Sequence, residues 1–320
     1  MSASEVLGPR AVCVTSNLAL RKTLRRTLNA GGSSVEFLDE LPPEDSPAAA
    51  IVFIDKPCRE SAPVPKLLQI ISEGGNLVML GDSLEDDEFI SMLRNTTVDH
   101  VITDTEAPDE VELVVTSVKL LSDDIFGLEK YLAWGAKVHE IELKTYEEKR
   151  VALLTVAAYA KKVGARRPMV GKIESVTDEL LMNALYDAPA ARAGVVPTQH
   201  TDRVTEVANE HPDEPALMRY ACDGRYLAVS VQDNYGELHK KAILDHLARA
   251  RAERGAPRIS TDATSSAGAG LGLYFILSSV TRFIANIERG RRTEVICLFD
   301  LKQTGRDSAT CARSLHIFTR

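Results

Sequence analysis

In the segment GKIESVTDELLMNALYDAP, Glu179 and Asn183 are four residues apart, so on a helix a carboxylate and a neutral amide oxygen stand about one turn from each other. An amide oxygen suits a magnesium ion already charge-balanced by phosphates, and a neighbouring carboxylate can orient or deprotonate an attacking hydroxyl or water. Further along, Asp233 closes the apolar run LAVSVQD and Gly236 follows three residues later. A strand-end carboxylate accepts a hydrogen bond from an exocyclic amino group such as that of adenine, and the glycine leaves room for a flat ring to approach backbone. Third, Gly268, Gly270 and Gly272 in SSAGAGLGLYFILSSV bare their amides ahead of a helix read from Leu271 to Val280, whose positive end attracts phosphate. Singly, the first pair reads as a polar patch on a solvated helix face and the second as a turn.

Two other phosphate motifs are excluded. A dinucleotide fingerprint needs a glycine where Leu273 stands and a strand where TDATSSA lies, and no Gly-Lys-Ser/Thr follows to make a Walker loop.

To converge, these residues need a helix, a strand end and a helix start around one site. Ile173, Val176, Leu180 and Ala184 give the first helix its apolar stripe, and Pro189 is expected to end it. Before it, VHEIEL alternates as a strand and YEEKRVALLTVAAYAKKVGA reads as a helix. After an irregular segment over 190–215, ALMRYACD and RYLAVSVQD form a hairpin across Asp223-Gly224. A basic helix, HKKAILDHLARARAERG, comes next, and FIANIE with TEVICLFDL closes as a hairpin around the Arg-Gly turn at 289–290. The stretch KQTGRDSATCARSLHIFTR matches no element.

From Arg10 to about Ser122, short apolar strands such as AVCVTS, AAIVFID and NLVMLGD alternate with amphipathic helices, which predicts a doubly wound parallel sheet of about five strands. There VPKLLQIISEGG reads as a helix, and SDDIFGLEKYLAW as a charged helical linker after it.

With 320 residues, 44% of them hydrophobic, the chain can fill two cores. A formal charge of -8 excludes non-specific affinity for nucleic acid or anionic membrane. The apolar stretches VALLTVAAYA and LGLYFILSSV are too short to cross a bilayer, and MSASEVLGPRAVCV lacks a leader pattern, so a cytoplasmic chain without membrane insertion is expected. Five unclustered cysteines suggest neither a disulfide framework nor a zinc site.

In their order, the Glu-x-x-x-Asn helix, the strand ending in Asp233 and the Gly-x-Gly-x-Gly-Leu run resemble the asparagine box and the two glycine boxes of the GHKL ATPase superfamily, shared by gyrase, chaperone, histidine kinase and MutL ATPases. The resemblance covers residues 136–301 and implies a Bergerat-type α/β sandwich, with helices layered on a mixed sheet and ATP with Mg2+ as cofactors. By the same resemblance Glu179 is the general base and Asn183 the magnesium ligand, while Asp233 reads adenine beside Gly236 and Thr293. The phosphates are cradled by Gly268, Gly270, Leu271, Gly272 and Leu273. Departures are Tyr235, where that box usually has a glycine, and Tyr186, where many histidine kinases have a lysine. Asp187 falls on the row of Glu179 and Asn183 and adds negative charge near a polyphosphate, which Lys240, Lys241 or the arginines of the lid would offset.

The elements ahead of the first box look like those of anti-sigma-factor serine kinases, which implies a protein partner phosphorylated on serine or threonine and a homodimer. His139 lies too close to Asn183 to leave room for a phosphoacceptor helix hairpin, which disfavours a histidine kinase. The first third resembles a response-regulator receiver of flavodoxin-like fold, with Asp55 at the phosphoacceptor place. Thr15-Ser16-Asn17, Gly81-Asp82 and Thr103-Asp104-Thr105 stand where receivers carry paired carboxylates, a hydroxyl and a lysine. Phosphoryl transfer to Asp55 would lack charge neutralisation there, so a degenerate receiver used for docking is expected. The resulting division is 1–122 receiver-like, 123–135 linker, 136–301 ATP-binding and 302–320 tail. Two functions stay open, an ATP-dependent protein kinase and a nucleotide-gated interaction switch with little turnover.

Overall fold

The computed structural model describes residues 8–41, 46–61, 71–106, 108–194, 214–245, 248, 268–303 and 312–320. The chain divides into two units, Met1–Ile125 with Arg313–His316 and Phe126–Ala312 with Ile317–Arg320.

The first unit runs β1 (Arg10–Val14), α1 (Leu18–Ala30), β2 (Ser34–Leu38), β3 (Ala49–Asp55), α2 (Lys56–Glu60), β4 (Ile71–Leu80), α3 (Asp87–Arg94), β5 (His100–Ile102) and α4 (Glu110–Ser122). Its strands pair in parallel in the order β2-β1-β3-β4-β5. Strand residues Cys13, Ile51, Phe53 and Val78 and helix residues Leu24 and Leu28 meet in one apolar core. Side-chain caps set the helix starts: Asn17, Asp86 and Asp109 each accept two first-turn amides.

Two expectations fail in this unit. Strand β4 begins at Ile71, inside the stretch read as a helix, because Ala49 of β3 offers it a ladder partner after a register shift; residues 62–70 of that stretch lie outside the described residues. The stretch that matched no element supplies β11 (Ser314–Thr319), whose first residues pair antiparallel with β5, Ser314 opposite Ile102 and His316 opposite His100. A buried polar chain fixes it there. His316 Nε2 lies 3.1 Å from Glu112 Oε1, and His316 Nδ1 lies 3.4 Å from His100 Nδ1.

The second unit opens with a short 3-10 turn, Leu128–Tyr131, where a helical linker was expected over 123–135, and continues with β6 (His139–Leu143), α5 (Tyr146–Lys162), α6 (Arg167–Met182), α7 (Ala188–Arg192), β7 (Ala216–Cys222), β8 (Tyr226–Asp233), α8 (Gly268–Ser279), β9 (Arg282–Glu288) and β10 (Arg292–Asp300). Helical backbone also spans 240–245, the start of the basic helix, most of which lies outside the described residues, as does 195–213 of the irregular segment. The strand order is β9-β10-β8-β7-β6, and every pair is antiparallel rather than mixed. Tight turns impose this at both hairpins. Asp223 Oδ1 accepts the amides of Arg225 at 2.8 Å and Tyr226 at 2.7 Å, and Gly224 and Gly290 supply the positive φ. Helix α5 starts on a Thr145/Glu148 capping box, and its buried Lys149 pairs with Asp178 of α6 at 2.6 Å. Helix α6 in turn packs against α8.

Candidate functional site

Helix α6 brings Glu179 toward its end, where the helix widens instead of stopping. Residues Asn183–Asp187 form a π turn, and α7 continues through the position expected to end the helix. Pro189 explains the widening, since it has no amide to give to Leu185 and its ring would collide with that carbonyl in a regular α-turn. The ladder slips by one residue and the Ala188 amide reaches Asn183 O. Along this segment Glu179, Asn183 and Asp187 are half-buried, while Leu180, Leu181, Ala184, Leu185 and Tyr186 are buried. These three polar side chains thus form a half-buried row beside buried apolar neighbours.

The strand end is a second centre. Asp233 is only 8% exposed, and its Oδ1 accepts the amides of Tyr235 at 2.8 Å and Gly236 at 3.1 Å. Burial raises its pKa to about 6, and these two amides with Thr293 hold it from rising further. Thr293 stands directly opposite in the β10–β8 ladder. Its hydroxyl is close enough to favour the charged carboxylate, yet it is buried and makes no hydrogen bond of acceptable geometry. An orphaned donor next to a carboxylate is the arrangement that the amino edge of a purine would complete.

Gly236 has a packing role. It has φ +68, and a methyl group there would meet Glu288 O and lie 2.7 Å from both Gly290 N and Arg291 N. Its bareness serves the close approach of the β9–β10 turn, whose Gly290 amide bonds Gly236 O at 3.2 Å. Arg192 Nη1 reaches Glu237 Oε1 at 3.0 Å over the same turn, and Tyr235 is buried beside it.

The glycine run is the start of the helix, not a loop ahead of it. Helix α8 begins at Gly268, so Gly268, Gly270 and Leu271 belong to its first turn, where backbone amides have no acceptor within the helix. Leu273 is buried in the core. At Gly272 an added methyl would collide with Glu179 Oε2 and lie 2.9 Å from Glu179 Cδ. The carboxylate read as a base and the helix read as a phosphate cradle are therefore in direct contact. Among the described residues no group of three or more His, Cys, Asp or Glu side chains is placed to hold a metal ion. Asn183 suits only an ion brought in by phosphates.

Elsewhere, Asp55 is 5% exposed and caps α2: Cys58 N donates to its Oδ1 at 3.0 Å and the Thr15 hydroxyl to its Oδ2. Asp82 is held in the first unit by Arg59 through two bonds of 2.9 and 2.6 Å. His139 opens β6 and stacks on Tyr220 at 5.1 Å between ring centres. A cavity of about 270 Å³ between α1 and α4, lined by Thr27, Ala30, Val111, Val114 and Val115, contains none of the residues singled out in the sequence. The π turn, the His316–Glu112 link and the Lys149–Asp178 pair were not anticipated. Pro189 inside a continuing apolar stripe was the one signal available for the first.

No protein-family model matches the chain, and no curated protein matches it. Among solved structures, a chain of the SiaB–SiaC complex from Pseudomonas aeruginosa is similar at 15% identity and a TM-score of 0.32, covering 50% of this chain and 88% of that one. A likeness at that score carries no argument, and what stands is a mixed α/β chain with no described helix long and apolar enough to cross a membrane.

Proposed function

We propose that the second unit binds ATP with magnesium and transfers its terminal phosphoryl group to a serine or threonine of a protein partner, in a bacterial signalling role. The observation that carries this reading is the buried Asp233 carboxylate facing the orphaned Thr293 hydroxyl, at the end of the strand pair that the GHKL resemblance assigns to adenine. On this reading Asp233 and Thr293 recognise the adenine edge, and the Asn183 amide supplies one oxygen to a phosphate-bound magnesium ion. The first-turn amides of α8 face the phosphates. Magnesium supplies charge neutralisation on the phosphates. Glu179 takes the proton of the acceptor hydroxyl as its oxygen bonds to phosphorus and the bond from phosphorus to the ADP oxygen breaks. The first unit, with Asp55 tied up as a helix cap, serves as a docking module rather than a phosphate acceptor.

The test is a calorimetric titration with ATP and magnesium of the wild type, Asp233→Ala and Asn183→Ala. Micromolar binding lost in the first variant and dependent on magnesium only when Asn183 is intact supports the reading, and no wild-type binding at millimolar nucleotide ends it. A second reading, a switch that binds nucleotide without turnover, is favoured by the buried Tyr235 and by the β9–β10 turn pressed onto Gly236. Labelled ATP separates the two, since only the kinase leaves label on a partner serine or threonine.

A further inference from the structure

Gly272 has no conformational reason to be glycine. It lies inside α8 without a positive φ, where alanine is the better helix former. Gly171, inside α6, is equally helical, but a methyl group there would meet nothing within 4 Å. At 272 the methyl would land on the Glu179 carboxylate, reaching Oε2 and standing 2.9 Å from Cδ and 3.6 Å from Oε1. The missing side chain is thus a notch in α8, and the end of Glu179 sits in it.

We infer that Gly272 is a positioning residue, the socket that fixes where the Glu179 carboxylate stands relative to the start of α8. This deepens the proposed function and rests on it for the role of Glu179, though the socket itself is a property of the protein without nucleotide. Two features make the assignment specific. Glu179 sits near the end of α6, where the π turn follows, so its backbone is set by a rigid helix and only its flexible side chain answers to the notch. The carboxylate also meets α8 at its first turns, the electropositive end of a helix, so the contact is attractive wherever the notch admits it. A side chain at 272 would displace the far end of Glu179 at a cost that offsets the helix propensity it adds, and would move the group that takes the proton.

The experiment is a double-mutant cycle on the full chain, read by denaturant midpoint without nucleotide. Gly272→Ala raises the midpoint in a Glu179→Ala background, where only helix propensity changes, and fails to raise it or lowers it when Glu179 is present. Equal shifts in both backgrounds overturn the socket. With ATP, Gly272→Ala lowers the turnover number by on the order of tenfold or more and leaves the dissociation constant within about threefold. The shorter carboxylate of Glu179→Asp restores part of that turnover in the Gly272→Ala background, while in the Gly272 background it lowers turnover. A loss of affinity matching the loss of turnover, or no rescue by aspartate, rejects the positioning role. A wild type that ignores ATP altogether refutes the functional reading instead, and the stability cycle still decides the socket.

Discussion

Asp233 is held in a state that costs stability, and its chemistry gives that cost a sign. Its pKa is raised from 3.8 to about 6 by burial, so between those values the folded protein binds more protons than the unfolded chain. Stability therefore falls as pH rises through that window and stays lower above it, by roughly 3 kcal/mol at neutral pH. Asp233→Asn removes this dependence. Urea midpoints of wild type and variant measured from pH 4 to 7 will diverge in the wild type's disfavour as pH rises, and parallel curves would place the carboxylate in water instead. Thr293 makes a companion case. Its buried hydroxyl makes no well-formed hydrogen bond and only leans on the Asp233 carboxylate, so Thr293→Val changes the stability of the free protein by no more than about 1 kcal/mol while weakening ATP binding, a split that calorimetry and thermal unfolding report together.

Among the elements, the α6–π–α7 run shows how one residue bends the reading of a sequence. The stripe of Ile173, Val176, Leu180 and Ala184 made the helix and its polar row legible, because burial of that stripe depends only on helical period. The same logic made Pro189 look like a stop. A proline ends a helix only where the ladder cannot slip, and here buried Ala184, Leu185 and Tyr186 hold the backbone helical through the slip. Replacing Pro189 with alanine returns an amide to position 189. The π turn then closes to a regular α-turn and the protein gains about 1 kcal/mol or more of stability. Hydrogen exchange will show protection at the new amide, and ATP affinity will drop as Asn183 and Asp187 rotate relative to Glu179. Gly236 and Ile71 were illegible for a different reason. The meaning of each depends on a distant segment, the 288–291 turn in one case and Ala49 in the other, and no local pattern carries that information.

Over the whole molecule, two units each keep their own core, and both draw residues from the stretch 313–320, which the sequence left unassigned. Ser314, Leu315 and His316 complete the pairing of β5 in the first unit, while Arg320 bonds Ile287 and Glu288 in the second. Removing everything after Ala312 strips Glu112 of its imidazole partner inside a buried site. The first unit then loses about 3 kcal/mol or more, and its unfolding transition moves to lower denaturant as followed by hydrogen exchange of β5 amides. His316 follows His100 by 216 positions. During synthesis the ribosome releases the parallel strands of the first unit early, and β5 then waits with an open edge until most of the other unit has been made. That interval exposes a pairing surface in the nascent chain, so newly made protein is most open to aggregation before residues 314–316 emerge.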